Sequence, residues 1–137
     1  MPSRARRPIS FCILFIFGTI FSVTLSTAQP TTFRNAPATA SEMKNPYEGS
    51  AAAAAAGKKL YAQDCAQCHG TNRQGMGPAP ALDGLSVRNA KPGELFWFIT
   101  TGKLTSGMPS WGNLPNQQRW QIVTFLKSQS NQKTVAK

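Results

Sequence analysis

The run Cys65-Ala66-Gln67-Cys68-His69-Gly70 places two thiols and an imidazole within one short stretch. Three chemistries use such a set: dithiol redox exchange, zinc ligation and covalent haem attachment. A redox C-x-x-C expects a preceding strand and a βαβ framework, whereas an alanine-rich helical stretch precedes this one. Structural zinc needs four nitrogen or sulfur ligands, and the whole chain holds 3 cysteines and 1 histidine, with Cys12 far upstream. C-x-x-C-H is a haem attachment signature. Two thiols one helical turn apart add to the two vinyl groups on one porphyrin edge, and the adjacent imidazole is thereby held under the iron. The motif therefore predicts one haem c per chain, attached through Cys65 and Cys68 with His69 as an iron ligand.

Because His69 is the only histidine, two-histidine ligation within one molecule is impossible. Met108 is the candidate sixth ligand: it lies 39 residues beyond His69, far enough to reach the opposite haem face, between Gly107 and Pro109, which suit a rigid loop. The competing use of Met108 is to fill a gap in the core. Met76 lies too close to His69 in sequence, and Met43 lies in an upstream linker. A histidine and methionine pair favours a relatively high potential and leaves no open coordination position, which points to electron transfer rather than turnover.

The elements that must hold these residues are helical. Ser50 caps a helix that runs through six alanines to Leu60 and Tyr61. Residues 70–90, with glycines and prolines from Gly70 to Gly84, read as a loop region. Pro92 opens a second helix with Leu95, Phe98 and Ile99 at helical spacing, and Gly102 stops it. A third runs from about Pro115 to Ser128. No alternating strand pattern competes, so the expected class is all-α. Phe96, Trp97 and Phe98 are consecutive and cannot all point inward on one helix, so at least one is expected to face solvent or a partner.

Upstream, Arg4, Arg6 and Arg7 precede an apolar run from Ile9 to Leu25, followed by the small residues Ser26-Thr27-Ala28. This predicts a secretory signal over residues 1–28, the alternative being an uncleaved membrane anchor. Residues 29–49, with three prolines and no apolar period, read as a flexible linker. The domain is expected over 50–130 and a tail over 131–137. The net charge is +10, and removal of the leader leaves 12 Lys and Arg against 5 Asp and Glu, or +7. No long basic run accompanies that charge, so nucleic acid is not expected; redox partner proteins with acidic docking surfaces are.

Across about residues 50 to 128 the chain resembles the small single-haem class I c-type cytochromes. Gly57 and Tyr61 stand where that family packs its first helix on its last, with Ile122 and Phe125 as partners. Pro80-Ala81-Leu82-Asp83-Gly84-Leu85 is similar to the family's Pro-x-Leu-x-Gly-Leu segment, and Gly107-Met108-Pro109-Ser110-Trp111-Gly112 resembles its methionine loop. The resemblance implies three main helices wrapped around one covalent haem, with Pro80 and Leu82 at the cofactor. It also implies a Pro80 carbonyl that accepts a hydrogen bond from His69; Pro78 is the alternative. The function implied is that of a periplasmic electron carrier. Two alternatives stay open: a haem enzyme or gas sensor with a displaceable sixth ligand, and a tethered domain of an oxidase or dehydrogenase complex.

Overall fold

The computed structural model describes residue 33 and residues 35–132. The expected signal over 1–28, the first residues of the expected linker and residues 133–137 of the expected tail lie outside the described residues. Among the described residues six α-helices follow one another: α1 (Ala38–Glu42), α2 (Ala51–Asp64), α3 (Ala66–His69), α4 (Leu85–Asn89), α5 (Pro92–Thr101) and α6 (Asn116–Gln132). Among the described residues there is no strand, only isolated bridges at Met76–Ala79 and Lys103–Met108. The fold is all-α.

The three long helices start and stop for local reasons. Ser50 is extended, and its Oγ accepts the Ala53 amide at 3.2 Å, satisfying one of the unpaired donors of the first turn of α2. Proline at the first position of α5 needs no amide partner, and the Glu94 carboxylate turns back to accept the Lys91 amide at 2.8 Å. Gly102, with φ of 68°, releases the chain from α5 in a conformation that a side chain would strain.

The core forms where α2 crosses α6. A Cβ placed on Gly57 would stand 1.9 Å from the Gln121 carbonyl oxygen, so the two backbones touch there. One turn on, Tyr61 meets Phe125 with ring centroids 5.4 Å apart. Tyr61, Val87, Ile122 and Val123 are fully enclosed. α5 completes the wall, with Phe96 stacked on Trp120 of α6 at 4.1 Å between centroids.

Three expectations differ from what is observed. The described part of 29–49, expected as a flexible linker, carries α1 and is fastened to the domain. Ala40 packs so closely on α5 that a Cβ on Gly93 would stand 1.9 Å from its carbonyl oxygen. Ser41 Oγ donates to Glu94 Oε1 at 2.8 Å, and buried Asn45 donates through Nδ2 to Thr124 Oγ1 at 2.9 Å. α6 extends through Gln132, past the expected end near Ser128 and into the first residues of the expected tail. α4 forms at Leu85–Asn89, within the stretch expected to lack helix, and Lys127 Nζ donates to the Val87, Arg88 and Ala90 carbonyls at its end. Burial lowers the Lys127 pKa, while Glu48 and Glu94 act in the opposite direction.

The strap from Phe33 through Asn45 also answers the question of the three consecutive aromatics on α5. Phe96 and Phe98 are both buried, on different faces, because Phe33 lies edge-on against Phe98 at 5.3 Å. Trp97 is the half-exposed member, set edge-on to Phe98 at 5.0 Å.

Candidate functional site

Cys65 ends α2, and the single turn of α3 follows at once, with the Cys68 and His69 amides donating to the Cys65 carbonyl at 3.1 and 2.9 Å. That turn brings Cys68 one helical turn from Cys65 and sets His69 directly after it. Cys65 is half-buried and Cys68 exposed. Burial, aided by the nearby Asp64 and Cys68, pushes the Cys65 thiol up to about 12. A redox or metal-binding cysteine is held as thiolate by a lowered pKa. An environment that disfavours charge on sulfur suits a neutral thioether instead.

His69 is buried, and its Nδ1 lies 2.9 Å from the Pro80 carbonyl oxygen. A carbonyl only accepts, so Nδ1 carries the proton and Nε2 is left as the lone-pair donor. The carbonyl is placed by a tight loop. Gly75, at φ of 79°, lies so near the following loop segment that a Cβ would meet the Ala81 nitrogen at 2.7 Å. The Gly75 amide donates to the His69 carbonyl at 2.9 Å, and the Leu82 amide closes on the Arg73 carbonyl at 2.7 Å. Leu82 is partly buried against the core. Tyr61 reaches the same turn: its hydroxyl donates to the Gly70 carbonyl at 2.7 Å, and burial above all pushes its pKa up to about 12.

Met108 lies on the loop that joins α5 to α6. Lys103 and Met108 exchange both backbone hydrogen bonds, at 2.9 and 3.1 Å, across a short 3-10 turn at Leu104–Ser106. Gly107 takes φ of 80° at the bend. Gly102 lies under the Met108-Pro109 backbone so closely that a Cβ would meet the Pro109 carbonyl at 2.5 Å. Met108 is half-buried, whereas Met76 is 54% and Met43 40% exposed.

The residues present fit a haem. Two thiols one turn apart, an imidazole nitrogen freed by its neighbour's proton assignment, and a half-buried thioether on a fixed loop make up the donor set of a haem c with histidine and methionine ligands. Among the buried side-chain atoms without a hydrogen-bond partner are two guanidinium nitrogens, Arg73 Nη1 and Arg88 Nε. Such donors are of the kind that a carboxylate-bearing cofactor takes up. Among the described residues no three His, Cys, Asp or Glu side chains gather as a metal site made by protein alone.

The sequence reading missed Arg119 and Asn45, both buried and both bonded to distant segments. Neither carries a motif. For Arg119 the available signal was a polar residue at helical spacing from Ile122, Val123 and Leu126; Asn45, outside any helix, offered none.

Comparison with known proteins agrees with this geometry. Residues 52–126 match the family described as cytochrome c oxidase, cbb3-type, subunit III. A 38-residue segment is 53% identical to cytochrome c-554(547) of Halothiobacillus neapolitanus, covering 28% of this chain and 42% of that protein. Among solved structures, cytochrome cL of the marine methylotroph Methylophaga aminisulfidivorans superimposes with a TM-score of 0.52 at 30% identity, covering 61% of this chain and 59% of that one. The chain thus spans less than two thirds of either relative.

Proposed function

This chain belongs to the c-type cytochrome family whose model it matches over residues 52–126, and from that premise we propose that it is an exported carrier with His69 and Met108 as axial ligands. It is a class I c-type cytochrome with covalently bound haem c, it transfers electrons, and its partners are redox proteins. The haem iron supplies the one-electron couple between ferric and ferrous states.

The chain's own residues set how that couple behaves. Cys65 and Cys68 fix the ring to the α2–α3 junction, so His69 needs no separate binding energy to stay in place. The Pro80 carbonyl, at 2.9 Å from Nδ1, orients the imidazole and raises its donor strength at Nε2. Met108 offers a soft thioether, which favours the ferrous state. With His69 and Met108 both holding the iron, no coordination position would be left for substrate, so the reading is a carrier rather than an enzyme. The His69–Pro80 contact is the observation that carries this reading, because a proton fixed on Nδ1 is what a histidine ligating through Nε2 requires.

Export is supported by the arginine-headed leader and by the attachment chemistry, and the periplasm is the compartment this reading implies. Among the described residues no helix is long and apolar enough to cross a membrane. The basic balance of +7 after leader removal supports partners with acidic docking faces. The family description, naming an oxidase subunit, favours one second reading: a domain tethered by its uncleaved leader to a membrane oxidase. Mass spectrometry of protein purified from its native membrane and soluble fractions separates the two. A soluble species bearing one haem and lacking residues 1–28 supports the carrier, and a full-length membrane species supports the tethered domain.

A further inference from the structure

We propose that Arg119 is a positioning residue that holds the Met108 loop shut, so that the thioether stays on the iron. The inference rests on the reading of Met108 as the sixth ligand. Arg119 lies in the first turn of α6 and is only 7% exposed. Its Nε donates to the Leu114 carbonyl at 3.0 Å, while Nη1 donates to Thr100 Oγ1 and Nη2 to Asn116 Oδ1. The guanidinium carbon sits 4.8 Å over the Phe96 ring. One planar group thus joins the end of α5, the end of the loop and the start of α6.

From Thr100 the path runs straight into the loop. The Thr100 carbonyl accepts Ser110 Oγ at 2.6 Å, and Ser110 Oγ in turn accepts the Gly112 amide at 3.2 Å. The neighbouring Trp111 amide donates to the Ile99 carbonyl at 3.0 Å. Ser110 is two residues from Met108, so a single residue, Thr100, stands between the guanidinium and the ligand's own loop segment.

The choice of arginine needs a reason. All three hydrogen-bond acceptors are neutral oxygens. Burying a cation on neutral partners carries a desolvation cost that a well-packed apolar residue would avoid. What an apolar residue would lack is the fork, which fixes three oxygens from three segments in one plane. Lysine would keep the charge and lose that geometry. The clamp therefore contributes to the lifetime of the closed loop more than to the stability of the helices beneath it.

The test is the rate at which imidazole replaces the methionine ligand in the ferric holoprotein, followed by loss of the weak red-end absorption band. Arg119→Lys and Arg119→Met are expected to speed replacement roughly tenfold or more, which corresponds to about 1.4 kcal/mol of loop stability. Asn45→Ala, which weakens the fold where the strap meets the middle of α6 at Thr124 and removes no hydrogen-bond partner of Arg119, is expected to leave the rate within a factor of about two of the native value, since sites with no shared partner act nearly independently. If Arg119→Met does not fold, Ser110→Ala at the exposed end of the path reads the same effect in the same direction. Native rates in the Arg119 and Ser110 variants, or an equal acceleration in Asn45→Ala, overturn the proposal. If native protein lacks the red-end band, the Met108 reading fails instead, and the clamp is judged by amide exchange. Arg119→Lys should then speed exchange at Trp111 and Leu114 but not at Val123, and unchanged exchange at Trp111 overturns it.

Discussion

A Cβ on Gly57 would stand 1.9 Å from the Gln121 carbonyl oxygen and 2.4 Å from its carbon, which makes α2 and α6 a backbone-to-backbone crossing. Both neighbours are main chain and cannot rotate away. Gly57→Ala should therefore force the helices apart and open the Tyr61–Phe125 contact beside them. Overpacking of a core costs about 1 to 3 kcal/mol where side chains can adjust, and here the loss should reach the upper end or exceed it. Denaturant unfolding of the holoprotein measures it. A variant within 0.5 kcal/mol of native, the range of about ±0.5 kcal/mol seen for neutral surface changes, would mean that the crossing is looser than described.

Attachment through two thioethers predicts that Cys65→Ser combined with Cys68→Ser yields protein whose haem leaves on acid-acetone extraction, while native haem stays with the polypeptide. Colour retained by the double variant after extraction would remove covalent attachment from the account.

Much of this site was legible in the sequence because its determinants are local. Cys65, Cys68 and His69 sit on one turn, and the caps at Ser50, Pro92 and Gly102 act within a few residues of the helices they bound. The strap was not legible, for the opposite reason. Its anchors pair residues far apart in the chain, Ser41 with Glu94 and Asn45 with Thr124, and the prolines and threonines between them show no apolar period. Phe98 stood in the apolar spacing with Leu95 and Ile99, but its cover by Phe33 of the strap was hidden for the same reason. Arg119 was hidden by its type, since arginine on a helix is ordinarily solvated and only tertiary contacts show this one to be buried.

The strap predicts its own measurement. Asn45→Ala leaves the half-buried Tyr47 amide without its acceptor, at 3.0 Å in the native fold, and removes the donor to the buried Thr124 hydroxyl, which keeps its own bond to the Trp120 carbonyl. The loss of these two bonds costs about 1 to 3 kcal/mol in all. Thermal unfolding should move down clearly, while the visible spectrum of the folded variant stays native. An unchanged midpoint would mean that the strap is not part of the cooperative unit.

Tyr61 sets an alkaline limit. Its pKa rises from 10.0 to about 12 in the fold, so the unfolded chain loses the phenol proton first. The stabilising contribution is fully present below pH 10 and is lost as pH climbs from 10 to about 12. Ultraviolet titration should show one tyrosine ionising near pH 12, absent in Tyr61→Phe. Tyr61→Phe should also weaken the fold at neutral pH, where the bond to the Gly70 carbonyl is lost. A titration in which the variant and native curves coincide would contradict the buried hydroxyl.

The basic surface predicts that reduction by an acidic partner protein slows as salt rises, because steering is screened beyond about 8 to 10 Å at ordinary ionic strength. Stopped-flow rates across a salt series measure the slope. A rate indifferent to salt would leave apolar contact around the haem edge as the docking force.

The ferric absorption spectrum of Met108→Ala, recorded beside native protein with the reduction potential of each, tests the central claim most directly. The account predicts a weak red-end band in native protein that vanishes in the variant, together with a lower potential and new binding of small ligands such as imidazole. A variant that keeps a six-coordinate native spectrum, the band and an unchanged potential would show that the sixth ligand is another group, Met76 or a lysine among them, and would contradict the assignment of Met108.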